Sequence, residues 1–153
     1  MRRLVRVSLL VVPGLLALAV GCQRPAGPAP VPSGPQSPSG WQVRYNAVLS
    51  LARRGSPHVQ DPEIWDTLRE MLDEDQQLRN FRARLSDGRE VPDQTAARLT
   101  VIDALRAVQE LHRKQPTMDL SGLKEPITKL IHSPSIPVST EAKQAELALF
   151  PKT

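Results

Sequence analysis

The sequence contains a single cysteine, Cys22, among its 153 residues. A disulfide within the chain needs two cysteines, so an exported form of this protein cannot be stabilised as most small secreted domains are. Aromatic residues are also scarce, at 3% of the chain. The fold must therefore be held by packing alone, in a core built from Leu, Ile, Val and Ala.

Long apolar runs are missing as well. The uncharged stretch Leu9–Val20 is shorter than the about 20 residues of a membrane-spanning helix, and Pro13 and Gly14 interrupt it. Three arginines lie within the six residues that open the chain, and small residues follow the apolar stretch. A basic start, a short apolar run and small residues at its end are typical of a secretory signal, which we predict over residues 1–21.

The predicted signal runs into Ala19, Val20, Gly21 and Cys22, an order that resembles a bacterial lipobox. In that family the cysteine thiol receives a diacylglycerol, the signal is cut just before the cysteine, and the new amino terminus is acylated. The resemblance implies that Cys22 is the lipidated first residue of the mature protein, which leaves no thiol for catalysis or a metal. Ala19 departs from the leucine that is commonest at its position. An ordinary signal peptide and an uncleaved anchor are the two alternatives.

The lipobox resemblance also implies a location. Two or more acyl chains give stable membrane attachment, whereas one chain gives only marginal binding. Gln23, and not aspartate, follows the cysteine, which in a Gram-negative cell would favour the outer membrane. We therefore expect an exported protein that is anchored to a membrane of the bacterial cell envelope.

Residues 22–40 are predicted to be the lipidated cysteine and a tether. Positions 23–40 hold six prolines, three glycines and three serines, a composition that cannot bury enough surface to fold. Extended at ~3 Å per residue, such a segment spans up to ~50 Å. Its expected role is to hold a domain away from the membrane. A ligand for a proline-recognition domain is the alternative.

The net charge changes once the signal is removed. The full chain carries 20 basic and 16 acidic residues, a net charge of +4. Without the three arginines of residues 1–21, 17 basic residues face 16 acidic ones, a net charge of +1. The composition therefore gives no argument for nucleic-acid binding, and we expect no nucleic-acid partner.

From Trp41 onward, apolar residues recur at helical spacing, which predicts an all-α domain over residues 41–150. In the first helix we predict a buried stripe of Val43, Ala47 and Leu51, widened by Val48 and Ala52. The helices are predicted over residues 41–55, 61–75, 92–113, 120–133 and 139–150.

Two apolar patterns recur along this domain. Such recurrence in alternating short and long helices favours stacked helical hairpins. The recurring sets are Ile64, Leu68, Met71 and Leu72 with Leu123, Ile127, Leu130 and Ile131, and Ala97, Val101, Ala104 and Val108 with Val138, Ala142, Ala145 and Leu149.

Val43–Gly55 is similar to the first-helix pattern of HEAT repeats, particularly the short bacterial kind. Leu68–Asn80 is similar to the end of a second helix, an acidic turn and the start of the next unit. The two resemblances place Gln42-Val43-Arg44 and Gln77-Leu78-Arg79 in matching positions, 35 residues apart. They imply a short α-solenoid of HEAT-like helical hairpins. Armadillo-like or generic bundle packing would give similar patterns.

Residues 80–92 interrupt the helical pattern. Apolar and polar residues alternate from Phe81, and Asp87-Gly88 is typical of a two-residue hairpin turn. We predict a short β-hairpin or ordered loop here. Arginines cluster around it and are the candidate partner-binding residues, facing an acidic protein or lipid headgroups. They are Arg79, Arg82, Arg84 and Arg89. The alternative is a solvated loop whose arginines form local pairs with Asp87 and Glu90.

The sequence contains no catalytic or metal-binding motif. The histidines, His58, His112 and His132, fall in no metal-ligand spacing, and the acidic run from Asp73 lacks the glycine and glutamate of a calcium loop. No nucleophile elbow, phosphate loop or dinucleotide fingerprint is present. We therefore expect a non-enzyme without cofactor or metal: an anchored interaction scaffold or adaptor with a protein partner. An envelope spacer without a ligand, or a non-catalytic modulator subunit, are the alternatives.

Overall fold

The computed structural model describes residues 40–151, and the predicted signal, Ala19 to Cys22 and residues 23–39 lie outside them. The described chain is mostly helical, with one two-stranded antiparallel sheet. The all-α prediction is thereby confirmed. The elements are α1 (Gly40–Arg54), α2 (Pro62–Met71), α3 (Glu74–Asn80), β1 (Arg82–Arg84), β2 (Glu90–Pro92), α4 (Gln94–Lys114), α5 (Lys124–Ile131) and α6 (Ile136–Leu149), with 3₁₀ turns at Pro57–Gln60 and Ser121–Leu123.

The long helix α4 lies at the centre of this array. It packs extensively against α1, α3 and α6 and less against α2. Helices that follow one another also pair, α1 with α2 and α5 with α6. The inward side of α4 is completely buried from end to end, because partners cover it on several sides. Its fully buried residues are Ala97, Val101, Ala104, Leu105, Ala107, Val108 and Leu111.

The apolar stripes predicted for α4 and α6 are confirmed. All eight residues of the two matching sets are buried, as a 3.6-residue period on one face requires. The sets in α2 and around α5 are buried too, apart from Ile64 and Ile131, which are half-buried. One continuous hydrophobic core from Tyr45 to Leu149 results.

The stripe predicted for α1 is right for Val48 and Ala52, which are buried, and wrong for the other three residues. Val43 is 54% exposed and Ala47 is exposed, while Leu51 is half-buried. On the buried face, Val48 and Ala52 are joined by Tyr45 and Leu49. The reason is Tyr45, whose ring is buried and whose hydroxyl finds partners inside the domain, so the helix turns that side inward.

Gln42-Val43-Arg44 and Gln77-Leu78-Arg79, the two triplets that the HEAT-like pattern places in matching positions, have different environments. Gln77 is fully buried, whereas Gln42 is half-buried and Val43 is exposed. The buried glutamine serves a polar cluster described below. This register of a 35-residue unit is therefore not reproduced in the packing.

Helix starts show which acidic residues act as caps. Asp73 and Asp93 accept hydrogen bonds from the backbone N–H of Gln76 (3.1 Å) and Ala96 (3.0 Å), as N-cap carboxylates do. Asp61 occupies the N-cap position of α2, but its carboxylate accepts no capping bond. It lies 3.4 Å from His58 Nδ1 instead.

Helix α1 ends at Arg54 and is followed by Gly55, which has a φ of +72°. The N–H of Ser56 donates to the carbonyl of Leu51 (3.0 Å) and that of Gly55 to Ala52 (2.9 Å). A left-handed residue after the last turn with these bonds is a Schellman cap. The carbonyl of Gly55 also accepts a bond from Gln115 Nε2 (3.0 Å), which joins the ends of α1 and α4.

Candidate functional site: the arginine hairpin and its polar base

The segment between α3 and α4 forms the predicted hairpin. In its register Arg82 pairs with Pro92, Ala83 with Val91, and Arg84 with Glu90. The ladder extends on both sides, because Leu85 N–H donates to Arg89 O (2.8 Å) and Asp93 N–H to Phe81 O (2.9 Å).

The turn of the hairpin differs from the predicted two-residue turn. Gly88 N–H donates to Leu85 O (2.9 Å), and Gly88 has a φ of +85° while Asp87 has no positive φ. A two-residue type I′ turn on Asp87-Gly88 would need positive φ at both residues. The observed loop is the three-residue form, Ser86–Gly88, in which a type I turn is followed by a left-handed glycine.

The hairpin brings the candidate arginines to one short, exposed segment. Arg82 and Arg84 are exposed on β1, whereas Ala83 between them is half-buried. Arg79 is exposed in the last turn of α3, and Arg89 follows the turn. The four residues thus lie close along the chain, but their charges are compensated to different extents.

Only Arg89 of these four has a carboxylate partner. Its Nε lies 2.7 Å from Asp87 Oδ2, and its backbone and side-chain hydrogen bonds lower the pKa of Asp87 below its ordinary value. Arg79 Nη2 donates to the neutral amide oxygen of Gln76 (2.7 Å). Local pairing, as expected for a solvated loop, therefore holds for one of the four arginines.

Arg82 and Arg84 are the least compensated. Arg82 Nη2 donates to the backbone carbonyl of Glu90 at 3.3 Å, a neutral group. The Arg84 side chain makes no hydrogen bond or ion pair with any described residue, although Glu90 is its cross-strand neighbour. Three exposed guanidinium charges, those of Arg79, Arg82 and Arg84, therefore remain without a carboxylate partner in the described chain.

A partly buried polar cluster around Tyr45 and Gln77 supports the base of the hairpin. Tyr45 Oη donates to Glu70 Oε1 (2.7 Å) and accepts from Gln77 Nε2 (3.2 Å) and Asn80 Nδ2 (3.0 Å). Gln77 Nε2 also donates to the carbonyl of Glu70 (2.7 Å), and Arg44 Nη2 lies 2.9 Å from Glu70 Oε2. The cluster links α1, α2 and α3 directly before the chain enters β1.

Sequence reasoning missed this cluster. The partners of the Tyr45 hydroxyl lie 25 to 35 residues away from it along the chain, so no local spacing points from Tyr45 to them. The one signal in the sequence is that Tyr45 is the only tyrosine and lies at helical spacing from Leu49 and Ala52. A tyrosine on an apolar face needs a partner for its hydroxyl.

The hydroxyl of Tyr45 keeps its proton to high pH. Burial, followed by the hydrogen bond to the Glu70 carboxylate, raises the pKa of Tyr45 to about 12. A phenol with this pKa releases its proton less readily than free tyrosine does. The geometry is therefore suited to fixing the hairpin and not to acid–base catalysis near neutral pH.

We expect the phenolate absorbance of the native protein to titrate at a pH of about 12, above the ordinary value of 10. Because the chain has one tyrosine, the signal near 295 nm belongs to Tyr45 alone. Because the pKa of Tyr45 is higher in the folded state, its protonated hydroxyl contributes to stability. This contribution is fully present below pH 10 and is lost as the pH rises through 12. Titration in urea should return the midpoint to about 10, and a native midpoint near 10 would contradict the geometry.

Aromatic packing joins the same corner to the start of α1. The Trp41 ring lies edge-on to Phe81, with centroids 4.7 Å apart, and to Tyr45, at 5.2 Å. Phe81 directly precedes β1. The hairpin is therefore fixed to α1 by rings as well as by the polar cluster.

A second surface feature is an open groove between α2, α3 and α5, with a cavity volume of about 590 Å³. Four carboxylates and two cations line it, together with Leu72, Gln76 and Pro126. Two of these carboxylates already have partners, since Glu70 pairs with Arg44 and Asp73 caps α3. The charged lining residues are Asp66, Glu70, Asp73, Glu125, Arg69 and Lys129.

Among residues 40–151, no group of three or more His, Cys, Asp or Glu side chains is arranged to hold a metal ion. Over the same range, none of the helices combines the length and apolar character needed to cross a bilayer.

Comparison with known proteins identifies no relative. No protein-family model matches the chain, and no curated protein or solved structure is significantly similar to it.

Proposed function

We propose that this protein is a lipid-anchored component of the bacterial cell envelope, whose helical domain binds a protein partner through the arginine hairpin. The observation that carries the proposal is the group of three exposed guanidinium charges without a carboxylate partner in the described chain, at Arg79, Arg82 and Arg84. These charges lie on an exposed segment that is held in place by the polar cluster and the aromatic rings. Such an arrangement is suited to recognising a group of opposite charge.

The scaffold part of the proposal is a short α-solenoid of HEAT-like hairpins. Two facts support it: α1 pairs with α2 and α5 pairs with α6, and the buried patterns of α4 and α6 match position by position. Stacked helical hairpins present broad surfaces that serve recognition. The groove between α2, α3 and α5 would be one such surface.

The anchoring part rests on the sequence around Cys22. A basic start, a short apolar stretch and the order Ala19, Val20, Gly21, Cys22 resemble a lipoprotein signal. Lipidation there would attach the mature chain to a membrane of the envelope, the outer membrane in a Gram-negative cell, with residues 23–39 as the tether up to the start of α1 at Gly40.

Fractionation of cells that carry Cys22→Ser tests the anchor. We expect the variant to lose acyl labelling and to leave the membrane fraction, because the acyl chains supply the attachment. Cys22→Ala serves as a second variant with the same expected result. Retention in the membrane fraction with unchanged labelling would contradict lipid anchoring at this residue.

Cross-linking in intact cells tests the partner. The wild-type protein should give one dominant cross-linked product, and Arg79→Gln, Arg82→Gln and Arg84→Gln together should weaken it. The matched control replaces three arginines that already have carboxylate partners: Arg53, Arg106 and Arg113. Recovery of only abundant background proteins would favour a spacer without a specific ligand.

A further inference from the structure

The outer edge of β1 has unused backbone hydrogen-bonding groups. Backbone hydrogen bonds join Leu85 to Arg89 and Phe81 to Asp93. They determine which residues of β1 direct their N–H and C=O groups toward β2. In an antiparallel ladder the bonded pairs alternate with non-bonded pairs, so Arg82 and Arg84 belong to the non-bonded pairs. Their N–H and C=O groups therefore point away from β2, and no described group bonds them.

The edge of β2 is different. Pro92 lies opposite Arg82 in the register and has no N–H to donate. Glu90 offers its carbonyl to Arg82 Nη2. A further strand would therefore find a donor and an acceptor at each of two residues on the β1 edge and an incomplete set on the β2 edge.

The charge along the β1 edge favours one kind of partner strand. The side chains that flank the β1 edge are Arg82 and Arg84, with Arg79 directly before them, and none of the three has a carboxylate partner in the described chain. Of the nearby acids, Asp87 pairs with Arg89 and Asp93 caps α4. Arginine on an edge opposes pairing with a second, identical edge, and it attracts acidic side chains.

We infer that the β1 edge binds an extended, acidic segment of a protein partner as a third strand of the hairpin. The inference deepens the proposed function, because it states how that partner is held. The ladder at Arg82 and Arg84 supplies backbone bonds, and the guanidinium groups select carboxylates. An anionic lipid surface would use the charges but has no backbone to meet the exposed N–H and C=O groups.

The test uses the purified full-length protein and a fluorescent eight-residue peptide in which glutamate and threonine alternate. Two further peptides carry N-methyl groups, one on all glutamates and the other on all threonines. Successive N–H groups of a strand point to opposite edges. One methylated peptide should therefore bind about tenfold more weakly, since it loses its bonds to β1, while the other binds nearly as well as the parent.

Protein variants provide the second arm. Arg82→Gln and Arg84→Gln should each weaken binding by about threefold to fivefold, as expected for an exposed ion pair. Arg98→Gln is the matched control, because Arg98 on α4 also bonds only to a neutral amide, that of Gln94. Amide resonances of Arg82 and Arg84 should shift on binding in a heteronuclear NMR spectrum, while those of Ala83 and Val91 report an intact hairpin.

Several outcomes would overturn the inference. Equal binding of both methylated peptides would show attraction by charge alone, and arginine-dependent binding to vesicles of anionic lipid without peptide binding would assign the site to a membrane. Failure of the peptide to bind, while cross-linking in cells still depends on the arginines, would refute strand addition and leave the proposed function standing. If the peptide binds the purified protein but cross-linking in cells yields no dominant partner, the proposed function would be refuted instead.

Discussion

Replacing Leu105 by alanine is expected to lower the free energy of unfolding by about 3–4 kcal/mol. Leu105 is fully buried in the middle of α4, and α4 packs against α1, α3 and α6. Removal of its side-chain methyl groups leaves a cavity that these rigid partners can fill only in part. Urea denaturation followed by circular dichroism at 222 nm measures the loss.

Leu99→Ala is the matched control for this prediction. Leu99 lies on the same helix and is 57% exposed, so the same chemical change should alter stability by less than about 0.5 kcal/mol. A loss for Leu105→Ala no larger than that for Leu99→Ala would mean that α4 is not the centre of the core.

Gly55→Ala is the other substitution with a large expected effect, a loss of about 2–3 kcal/mol. Gly55 has a φ of +72°, and a Cβ there would lie 2.7 Å from the Cβ of Lys114. The variant therefore combines strain in the left-handed region with a clash against the last turn of α4. Urea denaturation of the variant and the wild type gives the difference directly.

Gly88→Ala separates the two causes. Gly88 has a similar φ of +85°, but a Cβ there meets nothing within 4 Å. Its loss should reflect conformational strain alone, about 1 kcal/mol or less. If the two alanine variants lost the same stability, the close approach of α1 to Lys114 would not contribute.

How far the sequence predicts the fold depends on how local the determining signal is. The buried face of α4 can be predicted from the 3.6-residue period of Val101, Ala104 and Val108. Since these apolar residues form a single stripe, only one orientation of the helix buries all of them. In α1 the apolar residues Val43 and Ala47 suggested the wrong face. The helix is oriented by the partners of Tyr45, which lie on α2 and α3.

The same limit applies to the candidate site. The hairpin is predicted from alternation and from Asp87-Gly88, which are local. The turn type depends on the φ of Asp87, which the dipeptide alone does not determine. The different compensation of Arg84 and Arg89 depends on where side chains meet in space, so the sequence could name both arginines but could not rank them.

The edge-to-face packing of Trp41 on Phe81 has a mechanical consequence. A membrane tether would apply its pull at Gly40, and a partner held on β1 would apply its pull one residue after Phe81. The two points of attachment are thus joined at one corner of the domain, through the rings of Trp41 and Phe81 and through the hydrogen bonds of Tyr45 to Gln77 and Asn80. Tension between membrane and partner would therefore act first on this corner, where the start of α1 meets the base of the hairpin.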